Sequence, residues 1–142
     1  MRPTPSQTVG PFFEPALAWP DGGGDGPVEL WGRVLDGDGA VVPDALLEVS
    51  CDGALRRACT TADGTYSCRL PASASYDVSV FARGLLQRLV TRVYAPEAPA
   101  DDVLALVPPA RRDTLRASST GGAGLRFDIR LRGEGETVFL AW

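Results

Sequence analysis

The sequence predicts an all-β protein, an antiparallel β-sandwich with an extended N-terminal arm and long loops. Several short segments alternate apolar and polar residues with a period of two, which is typical of strands with one buried face. Turn-forming residues separate these segments, since the chain has 16 glycines and 12 prolines among 142 residues. No segment carries the sustained helical period that a long amphipathic helix would need.

The stretch from Tyr76 to Tyr94 is predicted to form the central pair of strands, joined at Arg83-Gly84. Residues 76–82 alternate apolar and more polar side chains, and the second segment is rich in β-branched residues. Glycine at position 84 provides the break between the two strands.

The remaining elements follow in order along the chain. Residues 1–20 carry five prolines and no periodicity, so they are predicted to be an extended arm, with residues 21–142 as a single sandwich domain. Asp101 is placed to cap one short helical turn that ends at Leu106. The other predicted strands cover residues 28–35, 45–50, 65–70, 125–132 and 137–142.

Composition excludes several classes of function. The net charge is −4 without a basic tract, which gives no indication of nucleic-acid or membrane binding. The chain contains no histidine, so triads that use histidine and metal sites that need imidazole are excluded. No signal peptide or membrane-spanning run is recognised, and a cytoplasmic location with reduced Cys51, Cys59 and Cys68 is expected.

Local candidates for catalysis are incomplete. Ser6, Ser79 and Ser118 have no neighbouring base, and the carboxylates of Asp101-Asp102 lie in a predicted turn where solvated charge is the default. A calcium site at residues 36–39 is an alternative to a simple turn, but the twelve-residue loop pattern is absent. No residue is therefore predicted as catalytic or as a metal ligand.

Arg83 has two interpretations. It ends the first central strand, where its planar guanidinium could bind an anion through two parallel hydrogen bonds. The simpler interpretation is a solvated arginine at a strand end, which the stretch alone favours.

Three stretches together resemble the intradiol ring-cleavage dioxygenases, and in particular the subunits of that family that do not bind the metal. The resemblance runs in order through nearly the whole chain. The stretches are Thr4-Pro5-Ser6-Gln7-Thr8-Val9-Gly10-Pro11-Phe12, Val80-Phe81-Ala82-Arg83-Gly84, and Arg126-Phe127-Asp128-Ile129 with Gly133-Glu134-Gly135-Glu136-Thr137-Val138-Phe139.

The resemblance implies a heteromeric enzyme built from alpha–beta pairs that assemble into higher oligomers. A catalytic beta subunit of similar fold would hold Fe(III) through two tyrosines and two histidines and would cleave an aromatic acid with O2. Ser75-Tyr76-Asp77 stands where the iron-binding chains carry a His-x-His pair, so no iron is expected in this chain. The resemblance also assigns Thr8, Gly10, Pro11 and Arg83 to the substrate pocket at the subunit interface.

A second resemblance leaves another class of function open. Gly32-x-Val34, Asp36-x-x-Gly39 and the segment 61–67 are similar to transthyretin-like and carboxypeptidase-regulatory-like sandwich modules. Those modules bind or support other domains without catalysis. Under this interpretation, the N-terminal arm and Arg83 would have no special role.

Overall fold

A computed structural model describes residues 24–141 of the chain. Within that part, two β-sheets pack face to face, and the helical segments are short. The predicted arm, residues 1–20, lies outside the described residues. The strands are β1 (Val28–Leu35), β2 (Leu46–Cys51), β3 (Ala54–Cys59), β4 (Thr65–Leu70), β5 (Ser75–Phe81), β6 (Leu89–Tyr94), β7 (Ser118–Ser119), β8 (Gly124–Arg126) and β9 (Ile129–Arg130).

The predicted β-sandwich is confirmed. One sheet has the strand order β4-β1-β8-β7, with β9 also paired to β1, and the other has the order β3-β2-β5-β6. The second sheet is antiparallel throughout the described residues. The first sheet is mixed, because β8 and β9 both run parallel to β1.

The predicted central pair is confirmed as β5 and β6. The two strands are antiparallel neighbours, with Tyr76 opposite Val93 and Val80 opposite Leu89. On β5, Tyr76, Val78 and Val80 are buried, while the residues between them are half-buried on the other face. The period of two in the sequence therefore identified the side of the strand that faces the core.

The core lies between the two sheets and has a smaller extension under the helical segments. The larger cluster combines inward-facing residues of both sheets, for example Leu30 and Leu70 of the first sheet and Leu47 of the second. The smaller cluster packs Tyr94 against Leu104 and Leu115. Leu104 belongs to helix α1 (Asp102–Leu106), and the main-chain nitrogen of Leu104 donates to the Asp101 carboxylate at 2.8 Å, as predicted for a capping aspartate.

Strand β3 was not predicted. Its sequence, Ala54–Cys59, lacks alternation because polar side chains occupy partly buried positions. The Arg56 guanidinium donates to the Arg69 carbonyl at 3.0 Å, and Arg57 pairs with Glu48 at 2.9 Å. The turn that leads into β3 is formed by Asp52 and Gly53, whose φ values of 47° and 83° lie in the left-handed region that tight hairpins use.

The continuous strand predicted for residues 125–132 is wrong. The segment is divided into β8 and β9 with a break at Phe127-Asp128. The break arises because the Asp128 carboxylate accepts from the main-chain nitrogen of Arg33 at 2.9 Å, so a side chain replaces a ladder acceptor. The alternation itself persists, with Leu125, Phe127 and Ile129 all buried.

The strand predicted for residues 137–142 is also wrong within its described part, residues 137–141. Those residues form a single bridge, between Leu140 and Val90. Their main-chain groups bond elsewhere: the Val138 nitrogen donates to the Thr114 hydroxyl at 3.3 Å, and the Val138 carbonyl accepts from the Thr91 hydroxyl at 2.8 Å. A 3₁₀ helix, Pro109–Leu115, lies between α1 and β7.

Candidate functional site

Arg83 lies directly after the last residues of β5, at one end of the sandwich. The preceding residue, Ala82, is buried, and the carbonyl of Ala82 accepts from the Leu85 nitrogen at 3.2 Å to close the turn. Gly84 has a φ of 87°, which a residue with a side chain rarely adopts. This turn directs the chain from β5 towards β6 and leaves the Arg83 side chain 62% exposed.

The Arg83 guanidinium is paired with Asp44. The Nη2 atom of Arg83 lies 2.8 Å from the Oδ2 atom of Asp44, whose side chain is 29% exposed. The ladder between β2 and β5 places Leu46 opposite Phe81, so two further residues along each chain bring position 44 opposite position 83. The ion pair is therefore a cross-strand contact just beyond the ladder.

Arg83 lines a cavity of about 440 Å³ between turns of the two sheets. Leu85 and Leu131 provide apolar walls, and Arg132 provides a second cationic side chain. The other lining residues are Asp36, Gly37, Asp38 and Gly84. Two guanidinium groups beside apolar walls suit a ligand with an anionic group on an apolar body.

The acidic turn at residues 36–39 is explained by its own hydrogen bonds. The Oδ1 atom of Asp36 accepts from the main-chain nitrogens of Asp38 and Ala40, each at 2.9 Å. Such a bonded carboxylate stabilises the turn without a cation. Among residues 24–141, no group of three or more His, Cys, Asp or Glu side chains could hold a metal ion.

The three tyrosines are buried and hydrogen-bonded. Tyr66 donates to the Phe127 carbonyl at 2.5 Å, Tyr76 to the Pro71 carbonyl at 3.1 Å, and Tyr94 to the Asp101 carboxylate at 2.7 Å. Burial is the main cause that raises the pKa of all three phenols, that of Tyr94 to about 12. Phenolate formation is thus disfavoured at each of them, and the described residues do not fit a ferric centre.

A second arginine of the central strands, Arg92, belongs to a compact network at the other end of the hairpin. Its Nε atom lies 2.7 Å from Asp77, and its Nη1 atom lies 3.3 Å from Asp101. The same Asp101 carboxylate accepts from the Tyr94 hydroxyl and caps α1. This network fastens α1 to the outer face of the second sheet.

Two other cavities differ from this one in their lining or in the partners of their arginines. One of about 490 Å³ has mainly apolar walls, including Tyr76 and Leu125, and its charged lining residue is Glu97. The other, of about 240 Å³, contains Arg116 and Arg126, but both guanidinium groups have internal partners. Arg116 donates to carbonyls, and Arg126 is paired with Asp128 at 3.0 Å.

Of the four pocket residues expected from the sequence, the structure describes one. Thr8, Gly10 and Pro11 lie outside the described residues, and Arg83 lines the cavity. Sequence reasoning missed Asp44 and Arg132 as neighbours of this site. Asp44 could have been identified from the register of β2 and β5, which requires knowing that these strands are neighbours. Arg132 follows the broken segment after β9, where the predicted strand was wrong.

Comparison with known proteins gives matches along almost the entire chain. The protocatechuate 3,4-dioxygenase alpha chain of Burkholderia cepacia is 35% identical, with 98% of this chain and 97% of the relative covered. The chain of the same name from Pseudomonas putida is 33% identical over 96% and 94%. The chain belongs to the protocatechuate 3,4-dioxygenase alpha-chain family. The resemblance to intradiol dioxygenases stated from the sequence is thereby confirmed.

Solved structures share the sandwich fold of this alpha-chain family member. The dioxygenase domain of a dioxygenase–carbohydrate-binding fusion from Streptomyces sp. SirexAA-E has a TM-score of 0.57 and 24% identity, with 93% of this chain and 99% of that chain covered. Catechol 1,2-dioxygenase from Acinetobacter sp. ADP1 has a TM-score of 0.53 and 17% identity, over 78% and 54%. These similarities confirm the fold.

The Carboxypeptidase regulatory-like domain family also matches, over residues 29–107. The matched segment runs from β1 through α1, so it contains the second sheet and part of the first. Because the match covers more than half of the chain, the chain belongs to that domain family too. The alternative of a binding module without catalysis is not favoured, because the alpha-chain relatives match the residues on both sides of this segment as well.

No helix within residues 24–141 is long and apolar enough to cross a membrane.

Proposed function

We propose that the chain is the alpha subunit of a heteromeric protocatechuate 3,4-dioxygenase, which cleaves protocatechuate with O2 to 3-carboxy-cis,cis-muconate. The observation that carries this proposal is the end-to-end similarity to alpha chains of that enzyme, at 35% identity over 98% of the chain. A beta subunit of similar fold is the partner, in alpha–beta pairs that assemble further.

The Fe(III) of the enzyme is assigned to the beta subunit. This chain has no histidine in its 142 residues, and its three tyrosines are held as hydrogen-bonded neutral phenols. The chemistry at the ring hydroxyls of the substrate would be supplied by that Fe(III) in the partner. The role left to the alpha chain is to complete the pocket around the rest of the aromatic acid.

Arg83 is proposed to bind the substrate carboxylate. Protocatechuate carries its hydroxyls and its carboxylate at opposite sides of the ring, so a cation is needed away from the metal. The Arg83 side chain is 62% exposed at a cavity that also contains Arg132. A charge-assisted hydrogen bond to a carboxylate contributes about 1.5–3 kcal/mol. Thr8, Gly10 and Pro11 are proposed, on the family resemblance, as further contributors to the pocket.

Co-expression tests the proposal. The chain would be produced alone, then together with the longer, histidine-containing homologue expected in a neighbouring coding sequence. The co-expressed complex should contain iron and consume O2 when protocatechuate is added, whereas the chain alone should do neither. Iron-containing, active protein from this chain alone would contradict the assignment of the metal, and failure of the two chains to associate would contradict the subunit role.

A further inference from the structure

We infer that Asp44 is a positioning residue that orients the Arg83 guanidinium towards the carboxylate of an aromatic acid. The inference rests on the proposed function of Arg83 and adds the residue that holds it in place. Its basis is the single 2.8 Å contact between the Oδ2 atom of Asp44 and the Nη2 atom of Arg83, which lines the cavity.

Both residues of the pair are attached to rigid backbone. Next to Asp44, the Ala45 nitrogen donates to the buried Thr60 hydroxyl at 2.9 Å, and the Thr60 nitrogen donates back to the Ala45 carbonyl at 2.9 Å. Next to Arg83, Ala82 is packed in the core. The anchor points of the two side chains are therefore fixed by the sandwich, as positioning requires.

The contact leaves most of the guanidinium donors available. A guanidinium has five N–H donors, and the pair with Asp44 joins one nitrogen of Arg83 to one oxygen. A substrate carboxylate could then take two parallel donors on another edge of the same group. An exposed arginine without such a contact would have to lose its rotamer freedom when the ligand binds.

The charge of Asp44 also has to be compatible with an anionic ligand. Arg132 lines the same cavity, and no ion pair of its side chain is found in the part of the chain that the structure describes. Arg132 therefore adds a cation beside the Arg83–Asp44 pair, whose own two charges balance. Asp36 and Asp38 also line the cavity and bring negative charge, and the Oδ1 atom of Asp36 is bonded to the main chain of its own turn.

A double-mutant cycle in the assembled alpha–beta enzyme tests the inference. The variants are Asp44→Ala, Arg83→Ala and the two combined, with KM and kcat measured for protocatechuate and for catechol, which has no carboxylate. Asp44→Ala should raise KM for protocatechuate about three- to tenfold and change kcat and catechol kinetics little. In the Arg83→Ala background, the same substitution should have no further effect on KM.

Two more variants separate positioning from general structure. Asp44→Asn keeps an acceptor oxygen, so it should restore most of the KM lost in Asp44→Ala. Glu48→Ala is the matched control, because it removes another cross-strand pair, between Glu48 of β2 and Arg57 of β3 at 2.9 Å. It should leave KM for protocatechuate unchanged.

The outcomes distinguish this inference from the function on which it rests. If Arg83→Ala raises KM but Asp44→Ala does not, positioning by Asp44 is wrong and the role of Arg83 stands. If Asp44→Ala lowers KM, Asp44 competes with the substrate and the inference is overturned. If Arg83→Ala leaves KM for protocatechuate unchanged, both the inference and the proposed role of Arg83 fail.

Discussion

The two ends of the central hairpin use the same residue type in different ways. Arg92, on β6, is 21% exposed and contacts the carboxylates of Asp77 and Asp101. Arg83, after β5, is 62% exposed and contacts the single carboxylate of Asp44. Both arginines form cross-strand ion pairs. The Arg92 pair belongs to a network with Tyr94 and α1, whereas Arg83 lines an open cavity.

This difference indicates which arginine stabilises the fold and which is available to a ligand. Removing Arg92 breaks two contacts at once, to Asp77 and to the Asp101 carboxylate that caps α1, and the Arg92 side chain is the less exposed of the two arginines. An exposed pair with one contact contributes little to stability. Arg92 should therefore act mainly on the free energy of unfolding, and Arg83 on recognition of the substrate.

The largest effect on stability is expected for Arg92→Ala. The substitution leaves the Asp77 carboxylate without its 2.7 Å partner and removes a contact to the residue that caps α1. The free energy of unfolding of the full chain, measured with urea, should fall by about 2 kcal/mol, within the range for hydrogen bonds between charged groups. Arg92→Lys should recover part of the loss, because it keeps the charge without the planar fork. A loss below about 0.5 kcal/mol would contradict the structural role.

Alkaline pH should weaken the fold at Tyr94 in this network and at Cys68 of β4. Burial raises the pKa of Cys68 from 9.0 to about 12, and burial with the Asp101 hydrogen bond raises the pKa of Tyr94 from 10.0 to about 12. Their protonated forms are thus favoured by folding, so this contribution is complete below about pH 9 and is lost as pH rises towards 12. Urea midpoints measured at intervals from pH 8 to pH 11 should decline above pH 9, and a constant midpoint would be inconsistent with this account.

Tyr94→Phe isolates one hydrogen bond of the network. The phenol donates to Asp101 at 2.7 Å, and phenylalanine keeps the packing against Leu104 and Leu115. We expect a loss of about 1.5 kcal/mol, typical of a hydrogen bond to a charged group. The decline of stability between pH 10 and pH 12 should also become shallower in this variant. Unchanged stability at neutral pH would show that the hydroxyl is dispensable.

The smallest effect on stability is expected for Arg83→Ala. Its ion pair is exposed, so the free energy of unfolding of the full chain should change by less than about 0.5 kcal/mol. Asp44→Ala should have an equally small effect on the free energy of unfolding. A loss comparable to that of Arg92→Ala would remove the contrast between the two ends.

The sequence predicted those parts of the fold in which burial alternates regularly. Strands β1, β4 and β5 follow their predicted bounds within one residue, since each buries one face and exposes or half-buries the other. Strand β3 was not predicted because it lacks alternation: its arginines form side-chain bonds on a partly buried surface. The break at Phe127-Asp128 depends on a carboxylate that bonds a main-chain nitrogen 95 positions away, which no local pattern reveals.

The candidate site was partly predictable for the same reason. Arg83 was recognisable from its motif and from its place at the end of a strand. Asp44 reaches Arg83 through the pairing of β2 with β5, and Arg132 reaches the cavity through the segment after β9. Both depend on tertiary structure. The Arg92 network likewise joins β5, β6 and α1, so it could be described only once their packing was known.

The most direct test of the account compares Arg83→Ala with Arg92→Ala in the assembled alpha–beta enzyme. KM for protocatechuate should rise about ten- to a hundredfold for Arg83→Ala, with a smaller effect on catechol. For the Arg92→Ala enzyme that remains folded, KM for both substrates should stay within about twofold of the parent. An unchanged KM for protocatechuate in Arg83→Ala, with normal assembly, would contradict the claim that the open end of the hairpin binds the substrate carboxylate.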